Sequence, residues 1–247
     1  EGHLSLIKEA QAVADIVVCS IFVNPTQFND PADLEKYPRP IESDLALLKS
    51  ANCDVVFMPT VAEMYPPQEE EWSIYLGDLD RLWEGEKRPG HFQGVTQIVY
   101  KLFSLVEPDY ACFGQKDFQQ IMVTQRMVTL KNLPIQLLIC PIIRSAEGLA
   151  LSSRNARLSE AGKTKALALS RALHFIKDNV SNYSLHDLQT KALALLADEK
   201  DIDVEYLAIC ESSSLKPVET LEAGKSHVIL LTAWVENVRL IDNMILN

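Results

Sequence analysis

Hydrophobic and polar positions change period several times along the chain, and each change marks an expected element. Leu4, Ile7, Ala10 and Ala14 recur at helical spacing near the start. Asp15–Val23 (D-I-V-V-C-S-I-F-V) is then almost continuously apolar, which predicts a parallel strand covered on both faces and ended by Asn24-Pro25. A helix is expected over Ser43–Ser50, which carries Leu45, Leu47 and Leu48, and a strand over Asp54–Met58. Val95, Ile98, Val99, Leu102, Phe103 and Val106 place another helix over Gly94–Val106. The apolar run before Gly114 reads as a buried strand, and Phe118, Ile121, Met122, Gln125 and Val128 follow at helical spacing. Pro134–Pro141 reads as one more strand. Strands alternating with helices over short links predict a doubly wound α/β domain with a parallel sheet.

Two stretches depart from that rhythm. Tyr65–Pro89 contains Pro66-Pro67, the acidic run Glu69–Glu71, Trp72 and Trp83, and leads into Arg88-Pro89-Gly90-His91. It is expected to form a lid or an interface, with His91 as a structural residue beside a turn. Beyond Ser159 come the Ala/Leu-rich helices Lys163–Asn179 and Ser184–Asp198, followed by strands at Val204–Ile209, His227–Val235 and Asn237–Ile241. This composition predicts a smaller C-terminal α+β domain. The boundary falls near Pro141, giving domains over residues 1–141 and 142–247. His174, His186 and His227 have no partner spacing and read as structural.

The candidate chemistry collects at element ends. Asp109–Gln120 is a strand–turn–helix, and in an open α/β sheet ligands sit beyond the carboxyl ends of the strands. That turn offers a flexible Gly114, the cation Lys116 and the carboxylate Asp117, with Gln120 one turn further on. Lys116 suits a phosphate, and Asp117 suits a helix cap or a metal. An ordinary capped helix with solvated charges fits the same residues. Asn24 and Gln27 are neutral amides, suited to hydroxyl and carboxylate groups or to satisfying a loop backbone. Ser152, Ser153 and Arg154 join two hydroxyls to a planar guanidinium, which fits either a polyphosphate or a Ser-rich turn before the next helix. If Gly2 and His3 open the first helix, its free N–H groups offer a further place for a phosphate.

Composition narrows the partners. In 247 residues, 47% hydrophobic and 23% charged, no apolar run reaches the ~18 residues of a membrane span. A formal net charge of −11 argues against nucleic acid as the main partner, while leaving room for a local basic pocket. Cys19, Cys53, Cys112, Cys140 and Cys210 lack metal or redox spacing and are expected as buried thiols in a reducing cytoplasm.

Taken in order, Glu1-Gly2-His3 before L-S-L-I, then S-I-F-V-N-P-T-Q-F, R-P-G-H-F-Q-G-V, P-D-Y-A-C-F-G-Q-K-D-F-Q-Q, E-G-L-A-L-S-S-R-N and R-L-I-D-N form a specific series. It resembles the pantoate–β-alanine ligases, of the HxGH nucleotidyltransferase-like superfamily, from the first residue nearly to the last. The resemblance implies a Rossmann-like domain and a reaction in two steps. The carboxylate of pantoate attacks the α-phosphorus of ATP, with Mg²⁺, to give pantoyl adenylate and pyrophosphate; the amine of β-alanine then displaces AMP to give pantothenate. It also implies His3, matching the second His of HxGH, and Lys116 as catalytic groups. Gly2, His3, Gly114, Gln115, Lys116, Asp117, Ile143, Leu151, Ser152, Ser153 and Arg154 match ATP-binding positions, and Asp117 a metal contact. Gln27 and Gln120 match the amide pair that hydrogen-bonds pantoate, with Asn24 as a neighbour. Neutral amides suit that role, because a cation clamped on the carboxylate would blunt the nucleophile. A cytoplasmic homodimer is implied as well.

Two departures from the family pattern carry expectations of their own. The family has a first strand and the first His of HxGH upstream of Gly2, so this chain is expected to lack both and to have little activity without them. Gln115 stands where Glu is common. Two alternatives follow: a nucleotide-binding fragment, or a related adenylyl-transferring enzyme with another acceptor.

Overall fold

The computed structural model describes residues 2–29, 34–35, 37, 39–68 and 70–246. Glu1, and Glu69 of the expected acidic run, lie outside them. The chain divides into two compact units. The first holds His3–Gly114 and Gln119–Cys140; the second holds Gly2, Gln115–Phe118 and the chain from residue 141 on.

Up to Cys140 the described helices and strands, which lie in the first unit apart from Gly2 and Phe118, run α1 (Gly2–Gln11), β1 (Val18–Ser20), α2 (Ile41–Ser50), β2 (Val55–Phe57), α3 (Val61–Met64), α4 (Glu84–Lys87), α5 (His91–Val106), β3 (Tyr110–Gly114), α6 (Phe118–Leu130) and β4 (Gln136–Cys140). The strands pair in parallel, as the alternating pattern predicts, but as two separate ladders, β1 with β2 and β3 with β4. The strand expected over Asp15–Val23 shortens to three residues, and Ile16 and Val18 are 66% and 37% exposed. Val17 between them is only 5% exposed, so alternate residues face a covered and an open side, and the expectation of cover on both faces fails here.

Helix α5 supplies much of the packing, burying Phe92, Val95, Ile98, Val99 and Phe103. It begins three residues before the expected start, because Gly90 takes a left-handed φ of 81° as its N-cap and admits His91 to the first turn. Helix α6 buries part of the face expected and extends it to further residues. Val123, Thr124 and Met127 are buried with Phe118, Ile121 and Val128, while Gln125 is exposed. Tyr65–Pro89 is anchored to its own unit. Trp72 Nε1 donates to Thr96 Oγ1 at 3.1 Å, and the Gln93 amide pairs with both the N–H and the carbonyl of Ile74. Ile74, Leu76 and Leu79 are buried.

The second unit is built on an antiparallel sheet in the order β5 (Ile202–Glu211), β6 (His227–Val235), β7 (Val238–Leu246). Helices α7 (Glu160–Asn179) and α8 (Leu185–Ala197) pack on it, capped by Ser159 and Ser184. Ala172, Leu173, Ile176, Leu188, Leu196, Ile229 and Leu231 close a continuous core. Each large aliphatic side chain there contributes about 1.5–3 kcal/mol of burial. Strand β7 runs past Ile241, where sequence pattern ended it. Asp242 and Asn243 look like a strand terminus, yet they are 5% and 2% exposed and hydrogen-bonded within the sheet's surroundings.

The five cysteines are free thiols, but only Cys140 and Cys210 are buried; the other three are half-buried. Burial first, and the neighbouring Cys112 second, push the Cys140 thiol up to about 12. Such thiols are poor nucleophiles at neutral pH.

Candidate active site

In the second unit, the turn Gln115–Asp117 is a short 3-10 helix. Its Lys116 lines a pocket with Ser152, Arg154, Asn155, Arg239 and Asp242. Three cations thus converge in a protein of formal charge −11, a local field suited to an anion. Arg239 is partly neutralised by Glu205, at 2.6 Å. Asp242 is neutralised by Arg144, which meets it with both terminal nitrogens at 2.7 and 2.9 Å. Lys116 and Arg154 bring their positive charge to the lining of this pocket.

Ser152 has a local task as well. It is the N-cap of the 3-10 helix Ser153–Arg157, its Oγ accepting from the Arg154 N–H at 3.2 Å. Both readings of the S-S-R segment therefore describe real features of one loop. Ser153 and Asp117 are exposed and do not line the pocket. Ile143 and Leu151 are joined by the Leu151 N–H to the Ile143 carbonyl at 2.8 Å. Gly2 approaches the same loop: a Cβ there would lie 3.6 Å from Leu151 Cβ, an ordinary contact. Gly114 ends β3 in strand conformation, and a Cβ there would meet nothing within 4 Å. The left-handed freedom of a flexible glycine is therefore not used, and its small size leaves open space.

The first unit holds the amide cluster. Asn24, 2% exposed, caps the turn Pro25–Gln27. Its Nδ2 donates to the Gly94 carbonyl at 3.1 Å and to Gln27 Oε1 at 3.4 Å, and its Oδ1 accepts from Tyr65 OH at 2.6 Å. The side chain is consumed by the protein. Gln27 is half-buried, and its backbone carbonyl is held at 2.8 Å by His91 Nδ1. Arg88 must be the donor toward His91 Nε2, 3.1 Å away, so the ring carries its proton on Nδ1 and donates to Gln27.

The neighbouring glutamines of α6 divide their work. Gln119, unremarked in the sequence pattern, is buried and donates to the carbonyls of Leu79 and Leu82, both at 2.8 Å, while accepting from the Glu84 N–H. Gln120 is half-buried and leaves the backbone tethering to its neighbour. His3 lies exposed in the first turn of α1, and His174 and His227 make local hydrogen bonds to Ser170 and Glu222.

Asn155, Asp242 and Asn243 lie inside the quoted motifs, but the sequence pattern assigned them no role in the site. Asn155 Nδ2 donates to the Ala150 carbonyl at 2.9 Å, which leaves Oδ1 buried at the pocket with no hydrogen-bond partner among the described residues. Its place directly after Arg154 was the available signal.

Parallel strand–turn–helix units and a basic pocket that includes the Ser152 hydroxyl define an α/β protein built to hold an oxyanion ligand. Residues 1–245 match the family model described as pantoate-beta-alanine ligase. A pantothenate synthetase of Cytophaga hutchinsonii is 45% identical over 247 residues, covering 99% of this chain and 87% of the relative. Another from Moorella thermoacetica is 44% identical, with 100% and 87% covered. The crystal structure of pantothenate synthetase from Thermus thermophilus aligns with a TM-score of 0.93 at 40% identity, over 98% of this chain and 88% of that one. The pantoate-beta-alanine ligase of Francisella tularensis, complexed with Beta-gamma ATP and Beta-alanine, aligns at 0.79 and 33% identity, over 99% and 84%. The chain belongs to the pantoate–β-alanine ligase family.

Proposed function

We propose that this chain joins pantoate to β-alanine at the expense of ATP, through a pantoyl adenylate, releasing pyrophosphate and then AMP. The observation that carries this is the pocket that gathers Lys116, Ser152 and Arg154, in a chain matched along its length by the ligase family. Lys116 and Arg154 hold the phosphate oxygens and stabilise charge that builds at the leaving pyrophosphate. Gly2 and Ser153 add donors at the phosphates, and Ile143 and Leu151 lie along the adenosine.

On the acceptor side, Gln27 and Gln120 orient pantoate through neutral hydrogen bonds, which align the carboxylate without withdrawing its charge. Asn24 acts through Gln27, since its own donors and acceptor are spent on Gly94, Gln27 and Tyr65. His91 fixes the Gln27 backbone from the other side. Among the described residues no group of three His, Cys, Asp or Glu side chains could hold a metal ion. Mg²⁺ enters as part of the substrate, bound to the nucleotide phosphates with most of its ligands from phosphate and water, beside the exposed carboxylate of Asp117. We assign the active form as a cytoplasmic homodimer, with residues 1–141 and 142–247 as its domains.

The test is pyrophosphate release from Mg·ATP, with and without pantoate, followed by addition of β-alanine. Release that requires pantoate, with pantothenate formed only once β-alanine is present, is expected. Release indifferent to pantoate would overturn the substrate assignment.

A further inference from the structure

The tail motif R-L-I-D-N brings Arg239 and Asp242 to the pocket, and its last two residues are the most deeply buried polar pair of β7. Successive residues of a strand point to opposite faces. Asp242 lies on the line of Val238, Leu240 and Leu246, which enter the helix-covered core. There it takes both terminal nitrogens of Arg144. Arg144 also donates to the Gly148 carbonyl at 3.1 Å and sits in an antiparallel bridge with Ala150. The loop from residue 143 to 151 is thus closed on itself and docked on Asp242. Ser152 follows it directly.

Asn243 lies on the other line and reaches the turn that carries Lys116. Its Nδ2 donates to two successive carbonyls, those of Gln115 and Lys116, each at 2.9 Å. Its Oδ1 accepts from Gln115 Nε2 at 3.1 Å. Both N–H groups of the amide are used, and two carbonyls that a lone 3-10 turn leaves unpaired are satisfied. The two clamps are joined, since the Asn243 N–H donates to Asp242 Oδ1 at 2.8 Å.

We propose that Asp242 and Asn243 are positioning residues for the phosphate cradle: Asn243 sets the turn that aims Lys116, and Asp242, through Arg144, sets the loop that delivers Ser152 and Arg154. One strand dipeptide therefore fixes the spacing between the two phosphate-binding segments. This rests on the assignment of Lys116, Ser152 and Arg154 to the phosphates. It also gives Gln115 a task in this chain, as the side-chain donor that orients the Asn243 amide.

The experiment is calorimetric titration of ATP into the wild-type chain, Asn243→Ala, Asn243→Asp, Lys116→Ala and the double variant Lys116→Ala/Asn243→Ala, with the thermal midpoint of each measured alongside. Asn243→Ala is expected to weaken ATP by about tenfold or more, the scale of a displaced binding group, at a midpoint that keeps the protein folded at the assay temperature. In the Lys116→Ala background the same change should have little further effect, because the clamp acts through Lys116. A purely structural role for Asn243 would shift the midpoint equally in both backgrounds and would not show this coupling. Asn243→Asp, which turns a carboxylate on the two carbonyls, should be at least as harmful; if it fails to fold, Asn243→Ala decides. If Lys116→Ala weakens ATP while Asn243→Ala leaves the affinity unchanged, or the two effects add, the positioning role is overturned and the phosphate assignment stands. If Lys116→Ala leaves ATP affinity intact, the phosphate assignment fails first.

Discussion

The phosphate pocket and the amide cluster are held by opposite means. Around Lys116 and Arg154 the protein grips backbone: Asn243 takes the carbonyls of residues 115 and 116, and Arg144 takes that of Gly148. The cationic side chains of Lys116 and Arg154 line the pocket that these backbone grips frame. Around Gln27 the side chain is itself part of the network, steered by Asn24, which Tyr65 steers in turn. A charged ligand gains most of its interaction from field strength, so a tethered turn that carries an ammonium suffices. A neutral amide has only direction to offer, so its direction must be built.

The largest effect expected from breaking this contrast is on stability. Asp242 and Arg144 have side chains 4% and 19% exposed, and Asp242→Ala strands a guanidinium in the interior. A loss of about 3–5 kcal/mol is expected in urea unfolding. Arg144→Met/Asp242→Leu should recover most of that loss without restoring ATP affinity. Recovery of both would show that the pair serves the core alone.

Next in size is Lys116→Ala, expected to slow pantoate-dependent pyrophosphate release by about 10²–10³, the usual cost of one donor at developing charge. The KM for pantoate should barely move. Gln27→Leu should show the reverse emphasis, raising the pantoate KM and leaving ATP affinity near wild type. A similar response of both substrates to both changes would erase the division between the two clusters.

Much of the phosphate side was legible in the sequence because its parts are local. A strand, a turn with a cation and a helix occupy Asp109–Gln120, and two hydroxyls and a guanidinium adjoin in Ser152–Arg154. What could not be read was non-local. Asn243 meets a turn 127 residues away, and nothing in R-L-I-D-N distinguishes a clamp from the end of a strand. Gln119 and Gln120 are identical in type and adjacent, so only the fold shows which one is spent on Leu79 and Leu82. Asn24 was legible as a loop amide, but its saturation depends on Tyr65 and Gly94, distant in sequence. The long strand expected from Asp15 failed for a related reason. Apolar content predicts burial, whereas ladder length depends on a partner, and β2 offers three residues.

A smaller effect should follow Tyr65→Phe. It removes the 2.6 Å hydrogen bond to Asn24 Oδ1, worth about 1 kcal/mol, and leaves Thr26 as an alternative donor at 3.1 Å. A rise of a few-fold in the pantoate KM is expected, with ATP affinity constant. An unchanged pantoate KM would mean that Asn24 holds its direction without help.

The smallest effect lies in acid and separates the units by their carboxylates. Hydrogen bonds from the Ser159 hydroxyl and N–H hold Glu236 below its ordinary 4.5, which ties the β6–β7 turn to the start of α7. In the first unit the Thr60 N–H and hydroxyl do the same for Glu63 at the start of α3. Because each folded pKa is depressed, the stabilisation is fully present above the unfolded value and is lost as pH falls through the folded one. Glu236→Gln should therefore flatten the decline of the urea midpoint below about pH 4.5. Glu63→Gln should do so only in a probe of the first unit, since α3 is a single turn whose capping box stabilises it locally. Hydrogen exchange at the first turns of α7 and α3, followed from neutral pH into acid, reads the two caps separately. Equal protection of the α7 turn in wild type and Glu236→Gln across that range would show that Ser159 caps the helix unaided, through its bond to the Gly162 N–H.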